Sequence, residues 1–229
     1  MQLLQQTKPL DVFVPHVIAN TFGYNENQGP LPESAALSFI RNAAISFAER
    51  TQILKERVVI DLQCGLSEYP VETNNFETVL AISKAVVGTF STDDPVCYFE
   101  CGNRCASWSF GEVQFEFDDD LIRIHPAPVK DIPGGLILEV IKVPTRDACE
   151  LDTQFYNKYF DAIVSGALAE IHLMPNRPWS SNAKADYRRK LFEEEVSRAV
   201  TRKVMNGGTQ QLKMRPPRSF MTFKSQRRF

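Results

Sequence analysis

Two helical patterns joined at a proline-flanked elbow, residues 151–205, constrain this chain more than any other stretch. Phe155, Tyr156, Tyr159, Phe160, Ile163, Ala167 and Ile171 recur at the three-and-four spacing of one broad helical face. Pro175 stops that helix. Ser180, Ser181 and Asn182 then offer an N-cap, and Tyr187, Leu191, Phe192, Val196, Ala199 and Val200 carry a second helical period up to Gly207. The pattern predicts an antiparallel helix pair whose packing rests on Phe155, Tyr159, Ile163, Gly166, Trp179, Tyr187 and Phe192. Gly166 lies inside the first helix, where it costs about 1 kcal/mol relative to alanine, so the expectation is a close approach by another element. Trp179 on the elbow is expected to plug the end of the bundle.

Before the pair, residues 10–22 hold an apolar segment broken at Pro15. A clearer helix begins at Glu33, with Ala36, Leu37, Ile40, Ala44, Phe47 and Ala48 as its stripe and Arg41, Glu49 and Arg50 toward water. Near Thr51 the period changes to two. Val58, Ile60 and Leu62 alternate with polar or solvent-facing neighbours. Strand-like runs follow at 69–71, 79–87, 96–100, 106–110, 113–117, 121–125 and 136–143, separated by Gly, Asp, Asn and Pro. The predicted class is therefore α+β. Residues 1–55 and 145–208 form a helical bundle, residues 56–144 form an inserted antiparallel β-module, and residues 209–229 form an extended arm.

Composition matters most at that arm. Lys213, Arg215, Arg218, Lys224, Arg227 and Arg228 stand there without an acid, so the formal net charge of −2 is a body of −8 joined to an arm of +6. Phe220, Met221, Phe223 and Phe229 are interleaved with those charges. Six phosphate contacts would make nucleic-acid binding fall by about five decades per decade of salt. A phosphate-tracking arm does not need three phenylalanines, whereas docking on a protein groove does, and burying them contributes roughly 6 kcal/mol. Both readings stay open on the residues alone.

The remaining candidates point away from catalysis. Cys97, Cys101 and Cys105 lack the second close pair or the histidines of a zinc site, and read as small thiols on two strands and a turn. The five cysteines, an odd number in a chain without a secretory leader, suggest reduced thiols. Asp118, Asp119 and Asp120 lack the spacing of a calcium loop and read as a hairpin turn, although carboxylates could also line a passage and repel DNA. His16, His125 and His172 are scattered, and neither a nucleophile elbow nor a phosphate loop occurs. No cofactor is expected. No apolar run approaches the roughly 20 residues that span a bilayer, so no membrane role is expected either.

Three segments carry a family resemblance: SAALSFIRNAAISFAERT (34–51), LIRIHPAPV (121–129) and FYNKYFDAIVSGALAEIHLMPNRPWSSNAKADYRRKLFEEEVSRAV (155–200). Ile163, Gly166-Ala167-Leu168-Ala169, Pro178-Trp179, Ala185, Tyr187 and Phe192 set the spacing. With these segments the chain resembles the head-to-tail adaptor, or connector, proteins of tailed bacteriophages. The resemblance implies a structural virion protein assembled in the host cytoplasm, forming a homo-oligomeric ring, twelvefold in that family. Such a ring sits between the portal protein and the tail proteins, and genomic DNA passes through its lumen. It further implies that Lys213, Arg215, Arg218, Phe220, Met221, Phe223, Arg227, Arg228 and Phe229 belong to a portal-binding arm, and that the helical segments build the ring wall.

Overall fold

The computed structural model describes residues 7–21, 31–73, 76–87, 97–100, 107–110, 113–118 and 120–206. The N-terminal part runs β1 (Thr7–Pro9), a 3-10 turn (Leu10–Phe13), α1 (Val14–Thr21) and α2 (Glu33–Thr51). Eight strands follow: β2 (Lys55–Leu62), β3 (Glu68–Pro70), β4 (Glu77–Val87), β5 (Cys97–Glu100), β6 (Ser107–Phe110), β7 (Val113–Asp118), β8 (Leu121–His125) and β9 (Ile132–Pro144). The chain then returns through β10 (Glu150–Asp152), α3 (Thr153–Lys158), α4 (Phe160–Ile171) and α5 (Asn182–Asn206). The class is α+β with antiparallel sheets.

Two separate cores organise these elements. The first is built from Phe13, Val17, Ile40, Ala44, Phe47, Phe155, Ile163, Leu168, Trp179, Phe192 and their neighbours on the helices. The second lies among Leu62, Tyr69, Ile82, Phe115, Ile122, Leu136, Leu138 and Val140 on the strands. Two four-stranded sheets, ordered β2-β9-β4-β5 and β3-β8-β7-β6, supply that second core, and every pairing in them is antiparallel. Alternation along β2 leaves Val59 56% exposed while Val58 and Ile60 pack inward, the expected behaviour of a strand with one wet face.

The helical core is closed by an element with no sequence signal. β1 pairs antiparallel with β10, Thr7 opposite Asp152, and so ties the N-terminal segment to the start of the C-terminal helices. Leu10 N–H donates to the Cys149 carbonyl at 3.1 Å, and Arg41 Nε donates to the Ala148 carbonyl at 2.8 Å. Arg41, expected to face water, is thus a strut between α2 and the β9–β10 connection. Asp152 then caps α3 by accepting from Gln154 N–H at 2.7 Å.

The first helix of the predicted pair is not continuous. Leu151 belongs to β10, and Tyr159, at φ −129° and ψ 21°, separates α3 from α4. The break turns the Tyr159 ring onto Phe47, with centroids 4.9 Å apart. The strand-like runs at 96–100 and 106–110 are β5 and β6; β5 joins β4 in one sheet and β6 joins β7 in the other.

Candidate assembly surface

α5 is the long outer element of the helical part, 25 residues or about 37 Å. Its inward face is Ala185, Phe192, Val196 and Ala199, all buried. Ser181 accepts from Lys184 N–H at 3.4 Å, and its carbonyl accepts from Ala185 N–H, which starts the helix at the serine cluster. Three polar clamps then hold α5 along its length. Arg188 Nη2 donates to Asn20 Oδ1 of α1 at 2.7 Å, Arg50 of α2 makes a two-pronged contact with Glu193, and Lys203 Nζ reaches the end of α2. Lys203 lies 3.1 Å from Gln52 Oε1 and 3.4 Å from the Thr51 carbonyl, which sets a cation at the negative end of the α2 dipole. Burial pushes the Lys203 ammonium down from the ordinary lysine range, with Lys55 adding to the effect.

Of the packing residues read from the pattern, Phe155, Tyr159, Ile163, Trp179 and Phe192 enter the helical core. Tyr187 does not. It is 61% exposed, because the buried face of α5 follows Ala185, Phe192, Val196 and Ala199, and Tyr187 falls on the far side of that stripe. Gly166 shows why a glycine stands in α4. A Cβ there would lie 2.9 Å from Ala43 Cβ on α2 and 2.9 Å from the Phe192 ring on α5, so three helices converge on a spot with no room for a methyl group. Gly166→Ala is therefore expected to destabilise the fold by about 1–3 kcal/mol despite alanine's better helix propensity. A urea titration that found the variant as stable as the parent would contradict the close approach.

The elbow between α4 and α5 is braced from inside. His172, 2% exposed, donates from Nδ1 to the Trp179 carbonyl at 2.7 Å, and its own carbonyl accepts from Ser181 N–H at 2.9 Å. Trp179 is 6% exposed and closes the helical core at this end. Burial depresses the His172 pKa below the ordinary 6.5, opposed by the bond to Trp179 and reinforced by Lys184 and Arg188. The sign follows from which state binds the proton more weakly. The folded state does, so this contribution is complete above pH 6.5 and is lost as the pH falls through the depressed value. The urea midpoint of the parent is expected to drop more between pH 7.5 and pH 5 than that of His172→Asn, which keeps a donor toward Trp179. Equal drops would count against the assignment.

The other candidates are dispersed. Asp118 pairs with Leu121 across the β7–β8 turn and is exposed, whereas Asp120, at φ 63°, is engaged in the fold. Its Oδ1 accepts from Val79 N–H at 3.3 Å and its carbonyl accepts from Val71 N–H at 2.8 Å. Asp119 lies outside the described residues. Cys97 pairs with Val87 in the β4–β5 ladder, while Cys101 and Cys105 lie outside the described residues. Among the described residues, no three His, Cys, Asp or Glu side chains are placed to hold a metal ion, and no helix is long and apolar enough to cross a membrane. The arm, with Lys213, Arg215, Arg218, Phe220, Met221, Phe223, Arg227, Arg228 and Phe229, also lies outside the described residues.

Two features had no legible sequence signal. Lys142 on β9 is 1% exposed, with Nζ 2.5 Å from a Glu56 carboxylate oxygen and bonded to Glu77. The last turns of α5 leave Val200 37%, Val204 71% and Met205 73% exposed, directly ahead of the basic arm. No protein-family model matches the chain, and no curated protein matches its sequence.

Proposed function

We propose that this chain is a structural assembly protein, a head-to-tail adaptor whose copies form a ring, twelvefold by the family resemblance, between a portal and the tail proteins of a bacteriophage virion. The observation that carries the reading is the end of α5. A long helix clamped to the body at Asn20, Arg50 and Gln52 delivers exposed Val200, Val204 and Met205 to the root of an arm bearing six cations and three phenylalanines. Apolar surface of that kind gains free energy when a partner surface covers it. In this reading the arm docks on the portal, the helical hairpin contributes the ring wall, and the acidic body keeps DNA in the lumen from adhering. Many arms acting together offset the ordering cost of each.

Electron microscopy of the protein mixed with portal rings is the direct test, with a ring stacked under the portal as the expected image. Deletion of residues 209–229 is expected to abolish portal binding while the body still unfolds in urea as one cooperative unit. Unchanged portal affinity would reject the arm assignment. A salt-steep affinity for duplex DNA that depends on the arm would favour the nucleic-acid reading instead.

A further inference from the structure

At the opposite end of α2 from Lys203, the 3-10 turn, α1 and the first residue of α2 enclose an open groove of about 480 Å³ lined by Asp11, Val14, Pro15, Ile18, Ala19 and Glu33. Four of its lining residues are apolar and the two polar ones are both acids, Asp11 and Glu33, each exposed. Neither acid has a hydrogen-bond or ion-pair partner among the described contacts, and the groove is of the size that holds a ligand or a few side chains. An apolar groove lined by two carboxylates selects a segment in which apolar side chains are interleaved with cations.

We propose that this groove is a docking site for the chain's own C-terminal arm, with Phe220, Met221 or Phe223 against its apolar lining and Arg218 and Lys224 facing Asp11 and Glu33. Charge and reach both support that occupant. The arm carries six cations and no acid, against two carboxylates on the groove. The connection 22–30, although adjacent, holds one acid, Glu26, and no cation, so it lacks the matching charge. Lys203 fixes the end of α5 beside Thr51 and Gln52, and α2 runs from there to Glu33 over 19 residues, about 28 Å. Twelve residues from Asn206 to Arg218 extend to roughly 40 Å, which covers the distance. Because the arm is tethered, its effective concentration at its own groove is on the order of millimolar, so docking within one subunit precedes docking on a second copy in dilute solution. The consequence is a sheltered arm that a stronger external site must displace. The groove's occupancy stands or falls independently of whether that external site is a portal.

The test uses the full chain with p-benzoylphenylalanine in place of Phe223, irradiated in dilute solution and fractionated by size before peptide mapping. The expected result is a crosslink within the monomer to residues 11–19 or 33, reduced at least fivefold in the Asp11→Lys, Glu33→Lys double variant and by 0.5 M salt. Trypsin is expected to cleave the arm of that double variant at least tenfold faster than the parent's. Crosslinks confined to a dimer fraction would assign the groove to the arm of a second copy and overturn the proposal. So would crosslinks that map elsewhere on the body, or arm cleavage equally fast in parent and variant. Portal binding by the double variant is read separately, and its retention is expected, since the proposal places no portal contact in the groove.

Discussion

Lys142→Ala is expected to destabilise the protein by about 3–5 kcal/mol, the penalty for removing one partner of a buried ion pair. The side chain is 1% exposed and continues the row of Leu136, Leu138 and Val140 at the end of the β-core nearest the helices. Its ammonium joins Glu56 of β2 and Glu77 of β4, the strands flanking β9, so one cation ties three strands together. Burial works against the charged form, but the hydrogen bonds to Glu56 and Glu77 outweigh it and raise the pKa above the ordinary 10.5. The contribution is therefore complete below pH 10.5 and is lost only as the pH rises through that higher value. The two carboxylates are not equivalent. The Glu56 side chain is 41% exposed and can turn to water, whereas that of Glu77 is 9% exposed and would be left as an uncompensated buried charge. Urea unfolding at pH 7 measures the loss, and a value under about 1 kcal/mol would show that water replaces the ammonium. Lys142→Met combined with Glu77→Leu is expected to recover most of the stability, because an apolar pair of similar volume removes the desolvation cost from both partners.

That lysine also marks where pattern reading stops. The run 136–143 reads as a strand because apolar residues dominate it, and β9 occupies it, extended to Ile132–Pro144. The burial of Lys142 depends on Glu77, 65 residues away, and no local period encodes such a partner. The same distinction separates the helices. α2 is legible from its spacing and α5 from spacing and its serine cap, signals that act within a turn or two. The break at Tyr159 is not, since it is made against Phe47 on another helix. Tyr187 falls outside the buried stripe because the helical period that includes it also runs through Leu191 and Val200, while the buried face is set by the smaller Ala185 and Ala199 beside Phe192 and Val196. The β1–β10 pair is three residues per strand, too short for alternation to register, and is specified by the docking of Leu10 and Leu151 on the helical core. Gly166 was legible in kind, as a glycine kept where propensity disfavours it, but the neighbours that require it are revealed only by the convergence of α2, α4 and α5.

Phe47→Ala is expected to cost about 3–5 kcal/mol, the upper range for emptying an aromatic site in a close-packed core. Phe47 is 0% exposed, and its ring lies 6.3 Å from that of Phe155, 4.9 Å from Tyr159 and 6.0 Å from Phe192. It therefore joins α2 to α3, to the break before α4, and to α5 at once, and no neighbouring side chain can fill the gap without leaving its own contacts. Phe47→Leu, which retains most of the volume, is expected to lose less than half as much. A second measurement separates this geometry from generic core loss. The Phe192 ring lies 6.0 Å from that of Phe47 and would meet a Cβ at Gly166, so removing Phe47 frees space beside that ring. Gly166→Ala should then cost at least 0.5 kcal/mol less in the Phe47→Ala background than in the parent, a coupling of the size found between residues that share a cavity. Strict additivity in that double-mutant cycle would mean that Phe192 does not transmit the contact. The convergence of α2, α4 and α5 on Gly166 would then be governed by the immobile Ala43 methyl group instead.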